Sequence, residues 1–165
     1  YKEAGFTNTE IAAIVKVWGV AATIFGGFLG GVLVAKFGLF KSLLICGVLQ
    51  GLSNLPFAGL ALQGKSFVWL SSAIVSDNMA AGMATTAFVA YMSSLCNKSY
   101  TATQYALLSS LMALPRDLLS ATSGWLVVKM GWAPFFVFTA FLCLPGLAIL
   151  YLLNRRLPAK TEATP

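Results

Sequence analysis

The chain has 165 residues, of which 58% are hydrophobic and only 10% charged, with a formal net charge of +6 and a mean hydropathy of +0.81. That balance argues against an ordinary soluble domain and for an all-α integral membrane protein. Most basic residues punctuate the ends of hydrophobic runs and no basic face is interleaved with aromatics, so the charge reads as membrane topology and not as nucleic-acid binding.

Five transmembrane spans are predicted, each long enough for a bilayer that needs about 20 apolar residues. The first runs over about 8–35. Thr7 and Glu10 form a T-x-x-E capping box at its start, and Phe6 with Ile11 makes a hydrophobic staple. Gly26, Gly27, Gly30 and Gly31 give overlapping G-x-x-x-G pairs, which let another helix approach closely. The second span, about 42–62, has no charge and is interrupted by Asn54 and Pro56, where a kink is expected. The third, about 66–95, carries Asp77 and Asn78. The fourth, about 100–128, holds Gln104 early and Arg116–Asp117 later. The fifth, about 132–153, is uncharged and is expected to bend at Pro145–Gly146; a polar tail, 154–165, follows and is expected to be disordered.

The loops between spans are short, so neighbouring spans run antiparallel. Lys36, Lys41, Lys98, Arg155, Arg156 and Lys160 fall at one set of ends, and Lys2, Lys65 and Lys129 at the other. The richer set belongs on the cytoplasmic side, which puts the carboxy terminus inside the cell. The chain opens on Tyr1 and shows no signal peptide, so it is expected to be part of a longer protein.

The buried polar groups carry the functional expectation. Ionisable side chains at bilayer depth are costly and normally face a protein interior or an aqueous cavity. Asp77 is about 17 Å, and Arg116 about 18 Å, from the outer ends of their spans at 1.5 Å per residue. Both therefore sit near mid-membrane on consecutive antiparallel helices, where they can pair. A buried pair that only pins two helices is often neutral for stability against apolar replacements, so a pathway role explains it better. Asp117, one residue on, points about 100° away from Arg116 around the helix, so only one of the two faces the cavity squarely. Lys16, about two turns inside the first span, either snorkels to the interface or faces the cavity.

An enzyme would need a nucleophile with a base, or a metal cluster. Histidine is absent, the carboxylates are few and scattered, and Cys46, Cys96 and Cys143 have no paired spacing, so no catalytic centre, metal site or disulfide framework is expected.

The stretch Gly31-Val-Leu-Val-Ala-Lys36-Phe-Gly38-Leu-Phe-Lys41 resembles a degenerate copy of the major facilitator gating loop G-x-x-x-D-R-x-G-x-x-K/R. Gly31, Lys36, Gly38 and Lys41 fit, while Ala35 stands where the motif has an acid. Gly19 onward to Gly31, Gln50-Gly-Leu-Ser-Asn54, Ala87-Phe-Val-Ala90, Ser94-Leu-Cys-Asn-Lys98, Ala102-Thr-Gln-Tyr-Ala-Leu-Leu-Ser109 and Gly124-Trp125 resemble the anhydromuropeptide permease (AmpG) family. The resemblance covers nearly the whole chain. It implies that the five spans are helices 8 to 12 of a twelve-helix transporter, with 1–153 a carboxy-terminal bundle that lacks helix 7, and the amino-terminal half as its partner. Asp77 matches a position usually held by glutamate in the family, and Arg116 matches an arginine. Ala81, Ala84, Pro115 and Asp117 depart from the family pattern.

By that resemblance the protein imports muropeptides, glycopeptides bearing an anhydro sugar, across the bacterial inner membrane, with no cofactor and a proton gradient as driving force. Arg116 would hold an anionic group of the substrate, Asp77 would respond to protons, and Asn78 and Gln104 would offer neutral hydrogen bonds. Competing expectations are a carrier of another anion such as an acyl-CoA, and a half-transporter that no longer works.

Overall fold

The computed structural model describes residues 1–96 and 101–156, except the side chains of Thr101, Pro115, Arg116 and Arg156. Lys98 and the expected disordered tail beyond 156 lie outside the described residues. Among those described, all regular structure is helical: α1 Asn8–Ile14, α2 Val20–Phe37, α3 Leu39–Leu52, α4 Leu55–Gln63, α5 Phe67–Leu95, α6 Thr101–Met130 and α7 Trp132–Arg156. A π-helical turn, Val15–Gly19, joins α1 to α2. The five expected spans thus appear as five helical passes, with boundaries within about three residues of those read from sequence.

The start of the first pass is built as its sequence requires. Glu10 N donates to Thr7 Oγ1 at 3.3 Å and Thr7 N donates to Glu10 Oε2 at 2.8 Å, closing the capping box. Phe6 is buried and Ile11 packs against its cluster, which is the staple. Lys65 Nζ reaches Glu10 Oε1 at 3.1 Å, tying this start to the turn before α5. That pair is exposed, and such pairs contribute at most about 1 kcal/mol.

The second pass breaks where expected. α3 ends at Leu52 and α4 starts at Leu55 with Pro56 in its first turn, where a missing N–H does no harm. Around the break, Asn54 Nδ2 and Ser53 Oγ both donate to Gln50 O, at 3.3 and 2.8 Å, so an end carbonyl of α3 is not left orphaned. α7 continues as one helix through Pro145–Gly146, with Pro145 in its interior.

Among the described residues, three passes are both long and apolar enough to cross a membrane: Asn8–Phe37, Leu39–Gln63 and Trp132–Arg155. α5 and α6, at 29 and 30 residues, are about 44–45 Å long and match the expected spans in length. They fall short in apolarity because Asp77 and Asn78 interrupt one, and Gln104, Arg116 and Asp117 the other.

α5 lies at the centre, against α2 on one side and α3–α4 on the other, and α7 packs on the far side of α3–α4. The α2–α5 contact is a glycine interlock. A Cβ at Gly26 would strike Met79 O, one at Gly30 would come 2.7 Å from Met83 O, and one at Gly82 would strike Thr23 O. Leu70, Ile74, Cys46 and Ser42 are the largest wholly buried side chains. Ile24, Phe25 and Phe28 of α2 point outward, as lipid-facing residues do. α6 buries none of its described residues.

The reversal from α2 to α3 is made by a single residue, Gly38, at φ 77 and ψ 170. That backbone region is open essentially to glycine alone. Gly38→Ala is expected to destabilise the protein by about 1–3 kcal/mol. A thermal-unfolding midpoint in detergent equal to wild type would show that the turn has another route.

Candidate functional site

Asp77 faces the break in the second pass. Gln50 Nε2 donates to Asp77 Oδ1 at 3.1 Å, and Ser53 Oγ stands 3.2 Å from the same oxygen. Ser53 is 4% exposed and shares its single proton between Asp77 and Gln50 O. The carboxylate is therefore held by two neutral donors from α3 and its C-terminal end, within a half-buried polar node between two passes. Neither Gln50 nor Ser53 figured among the site residues expected from sequence. The available signal was Gln50-Gly-Leu-Ser-Asn54, a polar cluster just ahead of a proline.

Asn78 turns the other way. Its Oδ1 accepts from Thr23 Oγ1 at 3.2 Å and its Nδ2 donates to Ile74 O at 2.8 Å. Thr23 Oγ1 also lies 2.9 Å from Gly19 O, at the end of the π-turn. Successive residues on a helix diverge by about 100°, and here that step sends Asp77 to α3 and Asn78 to the first pass. The two polar neighbours do not form one cluster; they tie α5 to opposite sides of the bundle.

The remaining expected residues are more dispersed. The side chain of Arg116 lies outside the described residues, and the expected Asp77–Arg116 pair with it. Asp117 is exposed on α6, and Gln104 is half-buried near the start of that helix. Lys16 is exposed on the π-turn beside Val17 and Trp18, the latter 58% exposed. In the gating loop, Gly38 makes the reversal, Ser42 Oγ donates to its carbonyl at 2.7 Å, and Lys36 Nζ lies 5.5 Å from the Phe37 ring centroid. Lys41 is exposed, and a Cβ at Gly31 would meet nothing within 4 Å. Tyr1 lies within electrostatic reach of Asp77. Burial, and after it the Asp77 charge, pushes the Tyr1 phenol above its usual pKa.

Long helices with apolar outer faces, packed by glycine contacts around a hydrogen-bonded carboxylate, make this a polytopic membrane protein of the kind that carries polar groups inside the bilayer. No family model matches the chain. It is 48% identical over 156 residues to a transporter designated AmpG 4 of Rickettsia felis, covering 94% of this chain and 38% of that protein. It is 40% identical over 153 residues to the anhydromuropeptide permease of Escherichia coli, covering 93% of this chain and 31% of that protein. A transporter designated AmpG 1 of Rickettsia bellii is 37% identical over 148 residues, covering 90% and 36%. Over nearly its whole length the chain is similar to transporters of the AmpG family, and it spans about a third of the length of these relatives.

Proposed function

We propose that the chain is the carboxy-terminal transmembrane part, residues 1–153, of a secondary transporter that imports anhydro-muramyl peptides across the bacterial inner membrane. The observation that carries this reading is the 40% identity to an anhydromuropeptide permease along 93% of the chain. The half-buried Asp77 node supports a carrier: a carboxylate on a long apolar helix, held by Gln50 and Ser53, is the kind of group that marks a solute or proton pathway. The driving force is the proton gradient, with no cofactor.

In this reading the five passes are helices 8 to 12 of a twelve-helix protein. Substrate binds near the membrane midplane against the amino-terminal half, and the two halves rock about it. The carboxy terminus is cytoplasmic. Arg116 holds a carboxylate of the peptide by a bidentate contact. Ionised Asp77 accepts from Gln50 and Ser53; once protonated it becomes a donor itself and must repartner, which couples proton binding to the break between α3 and α4. Gln104 and Lys16 serve polar parts of the substrate at the start of α6 and on the π-turn.

The test is uptake of labelled anhydromuropeptide into proteoliposomes that hold the full-length protein, with and without an inward proton gradient. Gradient-dependent uptake is expected, reduced about tenfold or more in Arg116→Ala, the loss that about 1.4 kcal/mol represents. Uptake of an acyl-CoA with none of muropeptide would overturn the substrate, and wild-type uptake by Arg116→Ala would remove the anion anchor.

A further inference from the structure

Among the described residues, the two passes that flank α5 each depart from a regular α-helix, and both departures are fastened to one step of α5. The second pass breaks between Leu52 and Leu55, and the contacts from Gln50 and Ser53 fix that break to Asp77. The first pass carries the π-turn Val15–Gly19, and Asn78 sits against its last residue. Gly19 is buried, and a Cβ there would come 3.4 Å from Asn78 Nδ2 and 3.5 Å from an Ile74 methyl. Thr23 Oγ1 completes the joint. It has one proton and two acceptors in reach, Gly19 O at 2.9 Å and Asn78 Oδ1 at 3.2 Å. A threonine hydroxyl that bonds back to the carbonyl four residues earlier loosens and bends its helix, which favours the wide turn just ahead of Thr23.

A π-turn holds one residue more than the α-turn it replaces, and such turns are rare and gather at functional sites. This one lies between two fixed points. Toward the amino terminus, the capping box and the Glu10–Lys65 pair hold the start of the pass. Toward the carboxy terminus, Gly26 and Gly30 lock α2 to the backbone of α5. The extra residue therefore has one free course, a turn back into α1 and forward again, with both anchors kept. We propose that the Asp77–Asn78 step of α5 is a linkage that drives this passage. Protonated Asp77 repartners at the α3–α4 break and α5 turns; Asn78 Oδ1 takes the Thr23 proton from Gly19 O; Val15–Gly19 then closes into α-helix continuous with α2. The residues passed over turn by up to about 100°, Lys16 among them. A cationic side chain thus changes face in step with the proton, holding an anionic part of the solute in one state and releasing it in the other. No second charge among the described residues competes with Asp77 for this role. α4 has no charged residue, Lys36 and Lys41 lie by the Gly38 reversal, Asp117 is exposed on α6, and the Tyr1 phenol, pushed above its usual pKa, stays neutral at ordinary pH.

This inference rests on the proton role proposed for Asp77, and its test separates the two. A nitroxide is walked one position at a time over residues 13–18 of the full-length protein in nanodiscs, with one further label at Phe28, and its accessibility to oxygen and to a nickel chelate is read. Asp77→Asn stands in for the protonated acid. It is expected to displace the accessibility profile over Val15–Trp18 by one residue and to leave Phe28, beyond the glycine lock, unchanged. Thr23→Val, which keeps the shape and removes the hydroxyl, is expected to give the same displacement with Asp77 intact, and the two substitutions together to add nothing, because both act on one joint. An identical profile in wild type and Asp77→Asn overturns the linkage. A displacement that extends to Phe28 also overturns it, since the whole pass has then turned and the π-turn has not moved. A wild-type profile in Thr23→Val removes the hydroxyl as the latch and the linkage with it. Gradient-driven uptake of muropeptide by Asp77→Asn at the wild-type rate overturns the proton role, whatever the labels show. Loss of that uptake with an undisplaced profile leaves the proton role standing and removes the linkage alone.

Discussion

Gly26→Leu should leave little folded protein, because the α2–α5 contact admits no side chain at that point. The atom a Cβ would strike is Met79 O, a backbone carbonyl inside a continuous helix, so no rotamer change relieves the clash. Gly30 meets Met83 O in the same way one turn on, and Gly82 of α5 answers against Thr23 O of α2. The two backbones are therefore interlocked from both sides. Within lipid no hydrophobic force draws helices together, and close packing of this kind carries the association instead. Overpacking commonly costs about 1–3 kcal/mol, and a backbone clash belongs at the top of that range or above it. Loss of monodisperse protein, or a sharply lowered thermal midpoint, is the expected result for the full-length protein in detergent. Gly31→Ala is the control. Its Cβ would meet nothing within 4 Å, and alanine favours a helix interior by about 1 kcal/mol over glycine, so it should be neutral or slightly stabilising. Similar behaviour of the two variants would show that the interlock does not hold the bundle.

The same four glycines show what a sequence can and cannot disclose. Their spacing announces a close helix contact, and the contact is there. Which of the four make it depends on the azimuth of a partner helix about 50 residues away, and G-x-x-x-G spacing holds no information on that angle. Gly26 and Gly30 meet the backbone of α5, Gly27 meets only its Thr86 side chain, and Gly31 meets nothing within 4 Å. Features that are local in the chain were legible: the Thr7–Glu10 capping box, the Phe6–Ile11 staple and the break ahead of Pro56. Each is closed by residues within five positions of one another. The π-turn at Val15–Gly19 was hidden. An inserted residue betrays itself as a slip in hydrophobic phase, and in a run apolar on every face there is no phase to slip. For the site, the 1.5 Å rise per residue gave Asp77 its depth, but depth leaves rotation about the helix open. The rotation that the fold adopts aims Asp77 at Gln50 and Ser53, on the pass before it, as well as separating it from Asn78. The residues 24 and 27 positions earlier that satisfy it could be found only once α3 had been placed beside α5.

Those two donors make Asp77 testable without destroying the fold. Asp77→Asn keeps an oxygen that can accept from Gln50 Nε2 and Ser53 Oγ, so its thermal midpoint should stay close to wild type. Asp77→Leu removes the acceptor. Ser53 retains Gln50 O as a partner at 2.8 Å, and the half-buried Gln50 amide, left with only the 3.4 Å contact to Ser53 Oγ, bears a loss of about 1 kcal/mol. A measurable fall in midpoint is expected for leucine and not for asparagine. Function should sort the variants differently. Asparagine cannot bind a proton in the working range, so both variants should lose gradient-driven uptake, falling about tenfold or more to the level seen without a gradient. Asp77→Glu should retain a large part of it, since the acid is kept and the extra methylene has only to fit beside the break. If Asp77→Asn accumulates substrate against a gradient as wild type does, the carboxylate is a pin between α5 and the second pass. The Gln50–Ser53–Asp77 node then explains packing alone. If uptake is lost while the midpoint holds, the charge itself is the working part, and the break between α3 and α4 becomes the first place to look for the movement that its protonation drives.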